Sequence, residues 1–295
     1  MHSSTTLPAE IFLVGCGYVG TQVAQRLHDR KVRVHAWVRT EQSRLRLADL
    51  DVPSLVGDVG SPEAWESLTK APDCLLYGPS SSRGGPTEYR NVFLRGLSHA
   101  LRRFPGCPLL FLSSTSVYGQ SNGELVDEEA PAAPDSETGH ILREAEEMTL
   151  EAGGMVLRIA GIYGPGRTWL LDRFLSGQAA ISTTDRWINQ IHRDDVVSAI
   201  LHFLALPLHR EIVNIVDDEP VREGRFYEWL AGKLNRSLPP QGEGGPAPSK
   251  RRRTHKRVSN AKARGLGWKP LYPSFREGLL PILLNQAILP GSSKR

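Results

Sequence analysis

Gly15-Cys16-Gly17-Tyr18-Val19-Gly20 follows directly on four apolar residues, Ile11-Phe12-Leu13-Val14. Glycine at the first, third and sixth positions between a strand and a helix has a chemical use. The first permits a tight turn, the second lets the backbone approach a pyrophosphate, and the third lets helix and strand pack closely. The helix N-terminus adds unpaired N–H groups and a partial positive charge. Glycine triplets also occur in purely structural turns, so the weight of this one comes from its strand–turn–helix context.

The end of the next strand bears on which dinucleotide such a turn would hold. Selection of NAD uses an acid there for the ribose 2′-OH. The chain has Val38-Arg39-Thr40 instead, with no acid before Glu41. A guanidinium binds phosphate with a fork of donors, so Arg39 favours NADP over NAD. The alternative is an exposed arginine at a strand end. Asp58 reads equally as an acceptor for the adenine amino group or as a turn aspartate. With Gly15, Cys16, Gly17, Tyr18, Val19, Gly20 and Arg39, the candidate cofactor contacts are Asp58, Val59, Gly78 and Pro79. Pro79 opens a Ser/Gly loop through Gly85 that either closes over a ligand, with Arg83 meeting an anion, or is ordinary surface.

The elements that must position these groups are legible from periodicity. Strands are expected at Ile11–Val14, Val32–Val38, Leu55–Asp58, Cys74–Tyr77, Pro108–Ser113 and Met155–Ile159. Helices are expected at Tyr18–Asp29, Pro62–Lys70, Tyr89–Arg103 and Gly139–Glu151. Strand–helix alternation at this rhythm means crossover connections and a parallel sheet, an α/β fold. After Gly161 the rhythm weakens: a helix near Thr168–Ser176, an irregular stretch to Gln190, a helix Asp194–Leu206, a strand Ile212–Val216 and a helix Arg222–Leu234. Pro239–Pro248 reads as a linker.

Ser113-Ser114-Thr115-Ser116-Val117-Tyr118-Gly119 resembles the extended short-chain dehydrogenase/reductase family, the NAD-dependent epimerases and dehydratases. Further matches run in order: Asn91-Val92, Leu157-Arg158, Tyr163-Gly164-Pro165-Gly166, Ile191-His192-Arg193-Asp194-Asp195-Val196, Val213-Asn214-Ile215 and Leu266-Gly267-Trp268-Lys269-Pro270. The resemblance covers about residues 10–282. It implies a Rossmann-like, doubly wound parallel sheet with a smaller C-terminal substrate lobe. The dinucleotide domain would take residues 8–160, with 191–218 returning to it; 161–190 and 219–285 would form the lobe, and 286–295 a flexible tail.

The family's chemistry uses Tyr-x-x-x-Lys on the helix after the serine strand. One helical turn sets the pair on one face, and the ammonium lowers the phenol's pKa towards that of a general acid/base. The family's spacing puts Thr138 in the tyrosine position and Leu142 in the lysine position. None of the eight lysines has tyrosine four residues before it. The chain therefore resembles the atypical members that keep the cofactor fold without the usual pair. Ser114 matches the catalytic serine. Tyr118, His140, Tyr163 and His192 lie in segments the family places near the cofactor. Tyr118 and Tyr163 belong there to structural motifs, and His192 is expected to cap the helix begun by Asp194 and Asp195. His140, on the catalytic helix itself, is the speculative replacement acid.

Composition narrows the remaining classes. Hydrophobic residues are 40% and charged residues 23% of 295, ordinary for a globular protein and unlike a disordered or collagen-like chain. The net charge of +4 comes from one place. Lys250–Arg257 holds six basic side chains and no acid, and the remaining 30 basic and 32 acidic residues nearly cancel. One basic loop is not a basic face, so a solvated or phosphate-facing loop is expected rather than a nucleic-acid site. Three scattered cysteines without a C-x-x-C argue against a zinc site. With no apolar run of about 20 residues and no basic N-terminal leader, a cytoplasmic protein is expected, with a homodimer possible through the helices at 89–103 and 139–151. Two functions follow: an NAD(P)-dependent oxidoreductase or epimerase acting by a non-standard acid on a carbonyl or hydroxyl group, such as that of a nucleotide sugar; or a non-catalytic NADP(H)-binding sensor or scaffold.

Overall fold

The computed structural model describes residues 6–81, 84–207, 209–242 and 255–285. In chain order the elements begin with β1 (Glu10–Val14), α1 (Gly20–His28), β2 (Arg33–Val38), α2 (Glu41–Ala48) and β3 (Ser54–Val56). Next come α3 (Pro62–Glu66), β4 (Cys74–Tyr77), α4 (Pro86–Tyr89), a π-helical stretch Arg90–Arg95, α5 (Gly96–Arg103) and β5 (Leu109–Ser114). A 3-10 turn at Thr115–Val117 leads to β6 (Glu124–Val126), α6 (Glu137–Glu151), β7 (Met155–Ile159), β8 (Gly161–Tyr163) and α7 (Trp169–Leu175). The remainder is β9 (Trp187–Ile188), β10 (Gln190–His192), α8 (Arg193–Leu204), β11 (Glu211–Ile215), β12 (Val221–Arg222), α9 (Glu223–Leu234), β13 (Lys256–Val258), α10 (Ala261–Gly265) and α11 (Phe275–Asn285).

A seven-stranded parallel sheet, ordered β11-β7-β5-β4-β1-β2-β3, is the expected doubly wound arrangement. The order reverses at β1 and β4, whose parallel register pairs Val14 with Tyr77. All residues of β1, β4 and β7 are buried, as strands covered by helices on both faces must be. One compact unit comprises the described residues up to Val117, Ala132–Arg158 and Val197–Val213. Its aromatic core centres on Phe12, which meets Trp37, Trp65 and Phe104 edge-on at 6.2–6.4 Å. Buried indole N–H groups need acceptors. Trp37 Nε1 donates to Gly57 O at 2.9 Å and Trp65 Nε1 to Val59 O at 2.8 Å, so the core itself shapes the segment carrying Asp58.

The second unit comprises Tyr118–Pro131, Ile159–Val196 and the described residues from Asn214 onward. Its sheets are two-stranded pairs, β8 with β10, β9 with β12 and β6 with β13. Its core is Tyr163, Leu171, Phe174, Phe226, Tyr227, Phe275 and their neighbours, with Phe174 and Tyr227 stacked at 5.9 Å.

Several boundaries differ from the sequence expectation. α2 was not expected, because only Leu47 of its eight residues is buried. Its start is set by Thr40, whose Oγ1 accepts from Ser43 N. The stretch between Ser176 and Gln190 contains β9 rather than being irregular throughout, and β8 precedes the helix at Trp169–Leu175. The start of the expected linker is tied down: Ile181 N donates to Pro240 O and Gly242 N to Ile181 O, each at 3.0 Å. Residues 243–248 of that linker, Lys250–Thr254 of the basic run and the 286–295 tail lie outside the described residues.

Candidate functional site

The glycine turn sits at the C-terminal end of β1, where open parallel sheets bind ligands beside the point at which strand order reverses. Each glycine is required for a different reason. Gly15 has φ +101°, and a Cβ there would lie 2.6 Å from Pro79 Cα and 2.7 Å from Gly78 O. The expected contacts Gly78 and Pro79 thus pack directly on the turn. A Cβ on Gly20 would stand 2.2 Å from Gly15 O, so the third glycine lets α1 close onto the strand end. At Gly17 a Cβ would meet nothing within 4 Å. The turn is therefore locked at its first and third glycines and open at the second, which is what a dinucleotide pyrophosphate requires. The residues fit that group.

Cys16 is buried, its thiol pushed up to about 12 by desolvation, so it acts as a small apolar side chain and not as a nucleophile. Its carbonyl accepts from Thr21 Oγ1 at 3.1 Å. Tyr18 and Val19 complete the turn and are half-buried. Arg39 ends its strand half-exposed, with Nη1 3.5 Å from Glu88 Oε1. Asp58 acts first as a turn aspartate. Its Oδ1 accepts from Gly60 N at 2.9 Å and its two oxygens from Asn91 Nδ2 at 3.1 and 3.2 Å. Asn91 thereby joins the end of β3 to the helix after β4, which gives the Asn91-Val92 pair its structural use. Val59, buried, follows directly. Arg83 lies outside the described residues.

At the end of β5, Ser114 Oγ accepts from Ser116 N at 3.2 Å, which shapes the turn that follows. On α6, Thr138 and Leu142 are both buried, and Thr138 Oγ1 lies 3.4 Å from Ser136 Oγ, the hydroxyl that caps the helix at Gly139 N. A threonine hydroxyl has no acidity near neutral pH, and leucine supplies no charge to lower it. His140 is exposed, two residues and so about 200° around the helix from Thr138. α6 does not set it beside the serine strand.

The sequence reading overlooked a charged cluster beneath this region. Arg158 donates from Nε to Glu146 Oε1 at 3.0 Å and from Nη2 to Oε2 at 2.7 Å. Ser113 Oγ donates to Oε1 at 2.6 Å, and Arg143 Nη1 to Oε2 at 2.7 Å. The available signal was an arginine inside the otherwise apolar strand Met155–Ile159, which demands a buried acid.

In the second unit, the other candidates are held by packing. Tyr118 Oη donates to Asn214 Oδ1 at 2.9 Å. Tyr163 Oη donates to Ser274 O at 3.4 Å, and burial drives its phenol far above the ordinary range. His192 Nδ1 accepts from Asp194 N at 3.2 Å, the capping role expected of it, and burial lowers its pKa. The described end of the basic run is structural too. Lys256, buried, donates to Tyr118 O at 2.8 Å, and Arg257 donates to Gly123 O at 3.0 Å while lying over the Trp187 ring. Among the described residues no group of three His, Cys, Asp or Glu could hold a metal ion, and no helix is long and apolar enough to cross a membrane.

Comparison with known proteins agrees with this geometry. The model of the NAD dependent epimerase/dehydratase family matches residues 11–215. Protein YeeZ of Escherichia coli K12 is 30% identical over 249 residues, covering 79% of this chain and 86% of its own. A 3-diazoavenalumate denitrifying reductase from Streptomyces is 26% identical over 293 residues, covering 89% and 96%. Among solved structures, the dTDP-glucose 4,6-dehydratase of Bacillus anthracis, in complex with NAD, superimposes with a TM-score of 0.74 at 17% identity, over 92% of this chain and 94% of that one. At that identity the likeness is one of fold.

Proposed function

The chain belongs to the NAD-dependent epimerase/dehydratase family, and from that premise we propose that it is an NADP(H)-dependent reductase acting on a carbonyl or hydroxyl substrate without the family's Tyr-x-x-x-Lys pair. The observation that carries the reading is the β1 turn, closed at Gly15 and Gly20 and open at Gly17, with Arg39 rather than an acid ending β2. Gly17 and the first turn of α1 would hold the pyrophosphate, and Arg39 a 2′-phosphate. The cofactor supplies the hydride. Ser114, once turned from Ser116 N, has a hydroxyl able to orient the accepting group. With Thr138 and Leu142 where a proton shuttle would stand, substrates whose reduction needs little acid assistance suit the site best. Similarity along 89% of the chain to a protein named as a reductase supports reduction over epimerisation.

The same two residues support a second reading, a non-catalytic NADP(H)-binding sensor or scaffold. One titration tests both. NADPH and NADH are added to the protein and followed by nicotinamide fluorescence, with Arg39→Glu alongside. Tighter binding of NADPH, weakened in the variant, is the expected result; failure of both dinucleotides to bind overturns both readings. Consumption of NADPH by a carbonyl panel selects the reductase. A partner captured or released by NADPH without turnover selects the sensor.

A further inference from the structure

The arginine that ends β2 already has an anion beside it. Arg39 Nη1 lies 3.5 Å from Glu88 Oε1, between side chains 54% and 37% exposed and 49 residues apart in sequence. Glu88 belongs to α4, which follows the Ser/Gly loop after β4. Its backbone is held close by Gly84, where a Cβ would come within 2.4 Å of Glu88 Cβ. The neighbouring guanidinium is matched as well: Arg44 Nε donates to Glu41 Oε1 at 2.8 Å. Arg39 and Arg44 therefore each have a carboxylate beside them. Thr40 and Ser43 hydroxyls lie 3.0 Å apart between them.

A phosphate monoester brings between one and two negative charges and draws on forked N–H donors. A ribose 2′-OH brings none. A carboxylate on Arg39 thus opposes a dinucleotide bearing the 2′-phosphate and is neutral towards one lacking it. We propose that Glu88 is a cofactor-specificity residue: its carboxylate occupies Arg39 until a 2′-phosphate displaces it, so Glu88 weakens NADP(H) binding, leaves NAD(H) binding unchanged, and couples phosphate capture at β2 to release of α4. This rests on reading Arg39 as the 2′-phosphate ligand.

The test is a set of NADPH and NADH titrations on wild type, Glu88→Gln, Arg39→Ala and the double variant, at low and high salt. Both positions are on the surface, so folding is not at stake. Glu88→Gln is expected to tighten NADPH roughly two- to fivefold, the range of one exposed ion pair. NADH should not move, the gain should shrink at high salt, and it should be smaller in the Arg39→Ala background. Unchanged NADPH affinity in Glu88→Gln overturns the proposal. So does weakened NADH binding, which would make Glu88 the acceptor of the ribose diol. If Arg39→Ala abolishes the NADPH preference while Glu88→Gln does nothing, only the role of Glu88 falls. If Arg39→Ala leaves both affinities unchanged, the reading of Arg39 falls with it.

Discussion

Arg158 on β7 and Glu146 on α6 meet through two hydrogen bonds of 3.0 and 2.7 Å, with neither side chain more than 2% exposed. Glu146 stands one helical turn beyond Leu142, so the pair fixes how α6 lies against the sheet that carries Ser113 and Ser114. Removing one partner of a buried ion pair leaves the other charge stranded, which costs about 3–5 kcal/mol, whereas replacing both by apolar groups is often nearly neutral. Glu146→Ala is accordingly expected to lower unfolding free energy by about that amount. The double variant Glu146→Leu/Arg158→Met is expected to recover most of it. Urea denaturation of the three proteins checks this, and equal losses in the single and double variants would contradict it.

The glycines of the β1 turn separate binding from folding. Gly17→Ala adds a methyl group to open space, so its unfolding midpoint should stay close to wild type while dinucleotide affinity falls at least tenfold. Gly20→Ala drives a Cβ into Gly15 O and should cost about 2–4 kcal/mol, as overpacking does when backbone must move. Thermal melts paired with fluorescence titration distinguish the two. A Gly17→Ala protein that binds NADPH normally would remove the pyrophosphate from this turn.

Grafting the missing pair should not restore the usual chemistry. Thr138 and Leu142 are 7% and 5% exposed. Tyrosine and lysine there would overfill the first site and bury an ammonium at the second. Thr138→Tyr/Leu142→Lys is expected to lose about 1–3 kcal/mol of stability and to gain no turnover, read by urea denaturation and NADPH consumption. A stable variant with new activity would show that the helix still presents these positions to substrate.

What could be read from the chain beforehand follows the strength of the local signal. β4 is a continuous apolar run and β1 and β7 are apolar apart from Glu10 and Arg158, and the strands matched expectation at Cys74–Tyr77 and Met155–Ile159. The glycine turn was legible because three positions with distinct steric needs lie within six residues. α2 was missed because its apolar stripe is a single leucine and its cap is one threonine. The pairs β6–β13 and β9–β12 were missed for a different reason. Two- and three-residue strands carry no periodicity, and their partners are more than 30 residues away, as in Lys256 opposite Glu124. Glu88 was equally invisible, since its contact joins α4 to the end of β2, segments 49 residues apart that only the sheet brings together.

Asp195 gives the second unit a pH-dependent stability. The side chain is fully buried at the start of α8, its carboxylate accepting from Leu271 N and, at 3.2 Å, from Tyr272 N. Burial dominates these two donors and pushes its pKa up to about 7, with Asp194 and Asp218 adding to the rise. The sign follows from proton binding. Below about pH 4 the group is protonated in both folded and unfolded chains. Between about 4 and 7 the folded chain keeps the proton and the unfolded chain has released it, so stability falls by up to about 1.4 kcal/mol per unit of rising pH. Above about 7 both forms are ionised and the penalty is constant. Asp217, buried with its pKa also raised, tilts the profile the same way, while His192 and His255, whose pKa values burial lowers, tilt it the other way, so the difference between variant and wild type isolates Asp195. Asp195→Asn should therefore make the dependence of unfolding free energy on pH between 5 and 7 less negative than in wild type. Urea midpoints at pH 5, 6, 7 and 8 for both proteins measure it. An unaltered slope in the variant would place the ionised carboxylate in a favourable site and reverse the assignment.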